Sequence, residues 1–189
     1  MDIDIDSADR ERILRLIKHA PASIHRQNES VKHNTGVYVN PVPVDPRTGM
    51  CTLDHKTAED MGYIKLDFLN VGVYERVQDN NHLERLLNTE PDWSKLQDRS
   101  FVENIIHINN HYDTMQRMPE PVDSIARMAM LLSVIRPAKR HLIGLPWKTV
   151  AESVWQKPTD GSYYFKHAHA VGYATLVAVN MNLDCGHCQ

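Results

Sequence analysis

Hydrophobic and polar residues alternate strictly at the start of the chain. Ile3 and Ile5 fall between Asp2, Asp4 and Asp6, the period-two pattern of a strand with one apolar and one acidic face. Ser7 reads as a helix N-cap and Asp9 as a first-turn acid. Ile13, Leu14 and Ile17 then form a helical stripe that Pro21 ends. Residues 22–33 read as a polar loop, and "TGVYV" (35–39) as a strand rich in β-branched and aromatic residues. "NPVPVDPRTGMC" (40–51) is a proline-punctuated excursion, unfit for helix or central strand. "TAEDMGYIKLDFLNV" (57–71) predicts a short helix, a stop at Gly62 and a strand over 63–68. Beyond residue 72 the apolar spacing turns helical, over 73–88, 98–113, 122–135, 147–155 and 168–182. Pro119, Pro121, Pro137, Pro146 and Pro158 punctuate those helices. Strands early and helices late predict an α+β fold, with a sheet-bearing region over 1–75 and a helical region over 76–189.

Composition narrows the function classes only a little. A chain of 189 residues can bury a substantial core in one or two domains. Its formal net charge of −3 supplies no global basic field for nucleic acid, although "RPAKRH" (136–141) is a local basic cluster. No apolar run is long enough to span a bilayer and no signal peptide is visible, so the expectation is a cytoplasmic protein with no membrane partner. Three cysteines, two of them in "CGHC" (185–188), do not make a secreted disulfide scaffold.

The acidic strand face carries the first chemical question. Asp4 and Asp6 project to the same side with Cβ atoms roughly 6–7 Å apart. A third carboxylate from a neighbouring strand, such as Asp67 in "KLDF" (65–68), would complete an oxygen-rich site for a hard cation. Two such ions about 4 Å apart serve in-line phosphoryl or nucleotidyl transfer. A merely solvated acidic face is the alternative reading.

Five blocks bear on that choice. "MDIDIDSADRERILRLI" is similar to the P-D-x-D-x-D-F strand and following helix of the bacterial C-family replicative DNA polymerases, the DNA polymerase III alpha subunits. "KHNTGVYV" (32–39) resembles their H-A-G-G-V-V strand, and "TLDHKTAEDMGYIKLDFLNV" (52–71) the stretch ending in K-F-D-F-L-G-L. "IRPAKR" (135–140) resembles their R-P-G turn, and "YYFKHAHAVGYA" (163–174) their G-F-N-K-S-H-A-A-A-Y-A helix start. The blocks stand in the family's order. The resemblance implies a small polymerase-β-like nucleotidyltransferase palm sheet followed by a mainly helical fingers-like region. It assigns the metal ligands and catalytic carboxylates to Asp4, Asp6 and Asp67, holding Mg2+ or Mn2+, and excludes Asp2 from the ligand set. It implies nucleotide- or DNA-facing roles for Lys65, His33, Arg136, Lys139, Arg140, Lys166 and His169, and places Tyr173 toward the nucleotide. The implied partners are a DNA primer-template and a deoxynucleoside triphosphate, in bacterial or phage DNA replication.

The chain departs from the family's pattern at several points. The upstream G-R-G-S phosphate motif has no counterpart in the chain, and Gly36, Gly49 and Gly62 are isolated. Ser7 stands for the motif's Phe, His167 for the lysine of N-K-S-H, Ala168 for its serine and Ala138 for the glycine of R-P-G. A cation near the triphosphate stabilises transition-state charge. The expectation is therefore a minimal core, the downstream half of a split polymerase whose separate subunit brings the missing motif, or an inactive relic that binds DNA or a replication protein.

Other constellations have less behind them. "CGHC" has the spacing of a redox motif or half a zinc site, with His167 and His169 as conceivable partners, or it is simply a tail. A helix over 168–182 would hold the two halves of that zinc site roughly 20 Å apart. "HINNH" sets His107 and His111 at a metal-ligand spacing, but Ile108 stands where a zinc protease needs glutamate. "RPAKRH" is either a phosphate-contacting turn or a solvated one. Val122, Ile125, Ala129 and Leu132 read as helix packing.

Overall fold

A computed structural model describes residues 2–27, 29–160 and 162–186 of the chain. The fold is α+β and divides into two compact units, Met1–Arg76 and Val77–Gln189. Among the described residues no helix is long and apolar enough to cross a membrane.

The first unit is built on a four-stranded mixed sheet in the order β1-β4-β3-β2. Strands β1 (Asp2–Ser7) and β4 (Lys65–Asn70) run parallel, Asp4 abreast of Asp67 and Ile5 abreast of Phe68. β3 (Glu29–Tyr38) is antiparallel to β4 and to β2 (Ala20–Arg26). The alternation in β1 now explains the layer beneath it. Ile5, Leu66, Phe68 and Val37 gather with Leu14, Ile13 and Ile17 from the region of α1 (Arg10–Leu14), so the helix covers the apolar face. Each fully buried side chain of this size contributes about 1.5–3 kcal/mol. A second small core, Ala22, Tyr38, Cys51 and Ala58, lies under the proline-rich segment and α2 (His55–Asp60).

Several local expectations are corrected here. Ser7 does not cap α1. It closes β1 opposite Asn70 and donates its hydroxyl to the Leu69 carbonyl, 3.2 Å away. The cap is Asp9, whose side chain accepts the Arg12 N–H at 3.0 Å. α1 stops at Leu14, well before Pro21, which lies in β2. Proline is tolerated there because the register shifts between Pro21 and Ser23 and asks no ladder donor of it. The expected polar loop 22–33 is mostly hairpin, since strand pairing rather than side-chain polarity decides the segment. The strand expected over 63–68 is Lys65–Asn70.

The second unit is helical. The helix expected over 73–88 splits into a 3-10 turn, Gly72–Arg76 in the first unit, and α3 (Asn80–Asn88), which Asp79 caps through the His82 N–H at 2.7 Å. The run expected over 98–113 breaks as well. α4 (Arg99–Val102) is capped by Asp98, and α5 (Tyr112–Gln116) starts after a turn in which His107 takes a left-handed φ of 67°. Then follow α6 (Ile125–Val134), α7 (Trp147–Ser153) and α8 (His167–Asp184). Met128, Leu131 and Leu132 of α6 meet Ala170, Ala174, Val177 and Met181 of α8 in one buried cluster, with Val122 and Ala129 also inside it.

Two asparagines of α8 tie this core to neighbouring backbone. Asn180 accepts the Ile106 N–H at 2.9 Å, and Asn182 donates to the carbonyls of Leu86 and Thr89 at 2.9 and 2.8 Å. The latter satisfies carbonyls at the end of α3 that the helix cannot pair itself. Asn182→Leu keeps the volume and strands both carbonyls, so a loss of about 2 kcal/mol is expected in urea unfolding followed by tryptophan fluorescence.

Candidate active site

The side of the sheet opposite α1 holds the acidic residues. Parallel pairing puts Asp4 beside Asp67 and Asp2 beside Lys65, with Asp6 two residues further along β1. On the other side of β4, Gly36 pairs with Asp67. Asp4 and Asp6 are exposed, whereas Lys65 and Asp67 are buried.

A bulge in β3 completes the surroundings of Asp67. Pro21 pairs with Val37 and Ser23 with Lys32, so Ala22 alone faces the whole segment from His33 to Gly36. That segment turns around the His33 ring, whose Nδ1 accepts the Thr35 N–H at 3.3 Å and the Gly36 N–H at 2.9 Å. With Nδ1 an acceptor, the neutral imidazole carries its proton on Nε2. The turn aims Thr35 at the carboxylate, and its hydroxyl donates to Asp67 Oδ1 at 2.7 Å. The other oxygen, Oδ2, accepts from the Lys65 ammonium. His33 Nδ1 lies 3.7 Å from Oδ1.

Electrostatics separate the carboxylates. Burial pushes the pKa of Asp67 upward, but hydrogen bonds from Lys65 and Thr35 and the Lys65 charge outweigh it and hold the group below the usual carboxylate range. Asp6 moves the other way. Partial desolvation, and then the charge of Asp4, raise its pKa. Tyr74 is raised by burial and by Asp6. The buried Asp67 is thus held ionised by its donors, while ionised Asp6 bears a desolvation cost and the charge of Asp4.

The remaining expected residues belong to the second unit. Arg136 sets its guanidinium over the Phe165 ring, 4.7 Å from the centroid. Lys139 is buried and its ammonium donates to the Ser153 carbonyl at 2.7 Å, so it serves the fold of this unit. Arg140 is exposed and donates from Nε to the Ile135 carbonyl at 3.2 Å. Lys166 is the exposed N-cap residue of α8, and His169 in its first turn stacks on Phe165 at 6.4 Å. Tyr173 lies between Phe165 and the edge of His107, at 5.3 and 4.4 Å.

His107 and His111 do not share a helix face. His107 sits in the turn, and burial followed by the charge of Arg136 lowers its pKa to about 4; His111 is the N-cap residue of α5. Cys185 closes α8, and burial foremost raises the pKa of its thiol, the reverse of a reactive thiolate. His187 and Cys188 lie outside the described residues. Among the described residues no three His, Cys, Asp or Glu side chains are gathered as a ready metal site.

Sequence reasoning missed Thr35 and the structural use of His33 and Gly36. Histidine, threonine and glycine in one tetrapeptide before an apolar strand end are turn chemistry, which was the available clue.

An α+β unit carrying four aspartates on two adjacent parallel strands, Asp4 abreast of Asp67, is the class that fold and site define. Comparison with protein-family models, with curated proteins and with solved structures gives no match.

Proposed function

We propose that the first unit is a metal-dependent nucleotidyltransferase core that joins a deoxynucleotide to a DNA primer end, in the manner of the DNA polymerase III alpha subunits. The observation that carries the reading is the parallel register that sets Asp4 abreast of Asp67, with Asp6 the next residue on the same face. Three hard oxygen donors on two strands suit Mg2+ or Mn2+. Asp4, Asp6 and Asp67 would hold the ions, which when bound would acidify the primer hydroxyl and offset charge at phosphorus.

In this reading Thr35 and the His33 turn keep Asp67 in place. Arg136, Arg140, Lys166 and His169 are the groups assigned to phosphate, nucleotide or template. Lys139, committed to Ser153, leaves that set. The partners are a primer-template and a deoxynucleoside triphosphate. The Lys65–Asp67 pair favours a second reading, a non-catalytic module that binds DNA or a replication protein, because it satisfies Asp67 with no metal.

Calorimetric titration with Mn2+, and primer extension with and without the products of neighbouring genes, separate the two readings. Metal binding together with extension is expected. Neither, in any combination of subunits, would sink the enzymatic reading.

A further inference from the structure

We infer that Lys65 is a resident counter-ion of the acidic face: it holds Asp67 until a divalent cation takes its place. The inference rests on the proposed carboxylate site and concerns how that site is regulated.

The strand period sets the device up. Lys65 and Asp67 are two apart on β4, so both side chains emerge on one face. The lysine stem must then lie along the strand to bring its ammonium onto the carboxylate. Gly36, the β3 partner of Asp67, leaves that path open. A Cβ on Gly36 would come within 2.7 Å of Lys65 Cδ, 3.1 Å of Lys65 Cγ and 3.0 Å of His33 Nδ1. The stem is therefore laid against bare backbone, and the pair it forms is buried, with side-chain exposures of 5% and 10%.

Both oxygens of Asp67 are engaged in this state, Oδ2 by Lys65 and Oδ1 by Thr35. A divalent ion that engages Asp67 meets a carboxylate whose two oxygens each face a donor. The Thr35 hydroxyl can turn aside at little cost because it is neutral. The ammonium cannot share the carboxylate with a dication, since like charges at ligand distance in a buried site repel strongly. Metal entry is thus an exchange of cations at Asp67. Asp4, abreast of Asp67, and Asp6 beyond it on the same exposed face of β1 are the other carboxylates the incoming ion would meet.

Lys65→Met keeps the stem and removes the charge. Mn2+ affinity of the full chain, read from the electron-paramagnetic-resonance signal of the free ion, is expected to rise at least about tenfold. The metal-free variant should unfold at lower urea than the wild type, and Mn2+ should restore it more than it shifts the wild type. Gly36→Ala retains the charge but pushes the stem off its path, and should raise Mn2+ affinity in the same direction by a smaller factor. It covers the case in which Lys65→Met does not fold. Equal or weaker Mn2+ binding in the variants, with the wild type binding, overturns the inference and leaves the carboxylate site standing. Absence of Mn2+ binding by wild type and variants alike at millimolar metal overturns both.

Discussion

Asp67→Asn is expected to destabilise the first unit by about 3–5 kcal/mol, because it takes the Asp67 carboxylate from the buried Lys65 ammonium. The amide keeps an acceptor for the ammonium only by turning its NH2 toward Thr35, whose hydroxyl must then accept instead of donate. Lys65→Met/Asp67→Leu should recover most of the loss, since a buried ion pair replaced by apolar residues of similar volume is often neutral or better. Hydrogen exchange of the β4 amides follows this unit specifically, whereas Trp93, Trp147 and Trp155 all report on the other. A double variant as unstable as the single one would mean that the pair is held for more than charge balance. The pH dependence has a fixed sign. Asp67 titrates below the ordinary range in the fold, so its stabilisation is fully present above the unfolded carboxyl pKa. It is lost as pH falls through the lower folded value. Asp67→Asn should therefore flatten the acid limb of the stability profile.

How the site could be anticipated depends on which forces act locally. The Asp/Ile alternation of β1 specifies a strand with two unlike faces, and the chain uses both, the isoleucine face against α1 and the aspartate face opposite. The same period of two applied to "KLDF" places Lys65 on the face of Asp67, so the ion pair was legible in principle. Its burial was not, because that depends on Gly36 arriving from β3, a partner named by pairing rather than by local pattern. The hairpin was hidden for a related reason. Pro21 and a polar run argue against strand, and only the register shift beside Pro21 shows how the ladder accommodates them. In the helical unit the apolar spacing found the helices α6 and α8 within a few residues. It ran through the break at Asp79, where a side chain capping a new helix start competes with continuation, and through the turn at His107 between α4 and α5. Asn182 reads as an ordinary helix polar residue until Leu86 and Thr89 turn out to need its donors.

Asp6→Asn is expected to move stability and activity in opposite directions. Asp6 carries a raised pKa, so the folded state holds its proton more tightly than the unfolded chain and ionisation costs stability near neutral pH. Removing the charge relieves the repulsion from Asp4. The gain stays at or below about 0.5 kcal/mol, because both carboxylates are exposed and screened. It should vanish as pH falls through the raised value, where the wild type protonates Asp6 on its own. Under the nucleotidyl-transfer reading the same change removes a ligand and part of the charge that neutralises a divalent ion. Primer extension should then fall by about a hundred- to a thousandfold. Unfolding midpoints across pH and extension rates on one preparation give both arms. A stabilised variant with unchanged extension would separate Asp6 from the chemistry and leave Asp4 and Asp67 as the only carboxylates to consider. Loss of extension with no gain in stability would mean that Asp4 and Asp6 do not repel in the folded protein. The two arms together measure what the Asp6 charge costs the fold and what it supplies to the reaction.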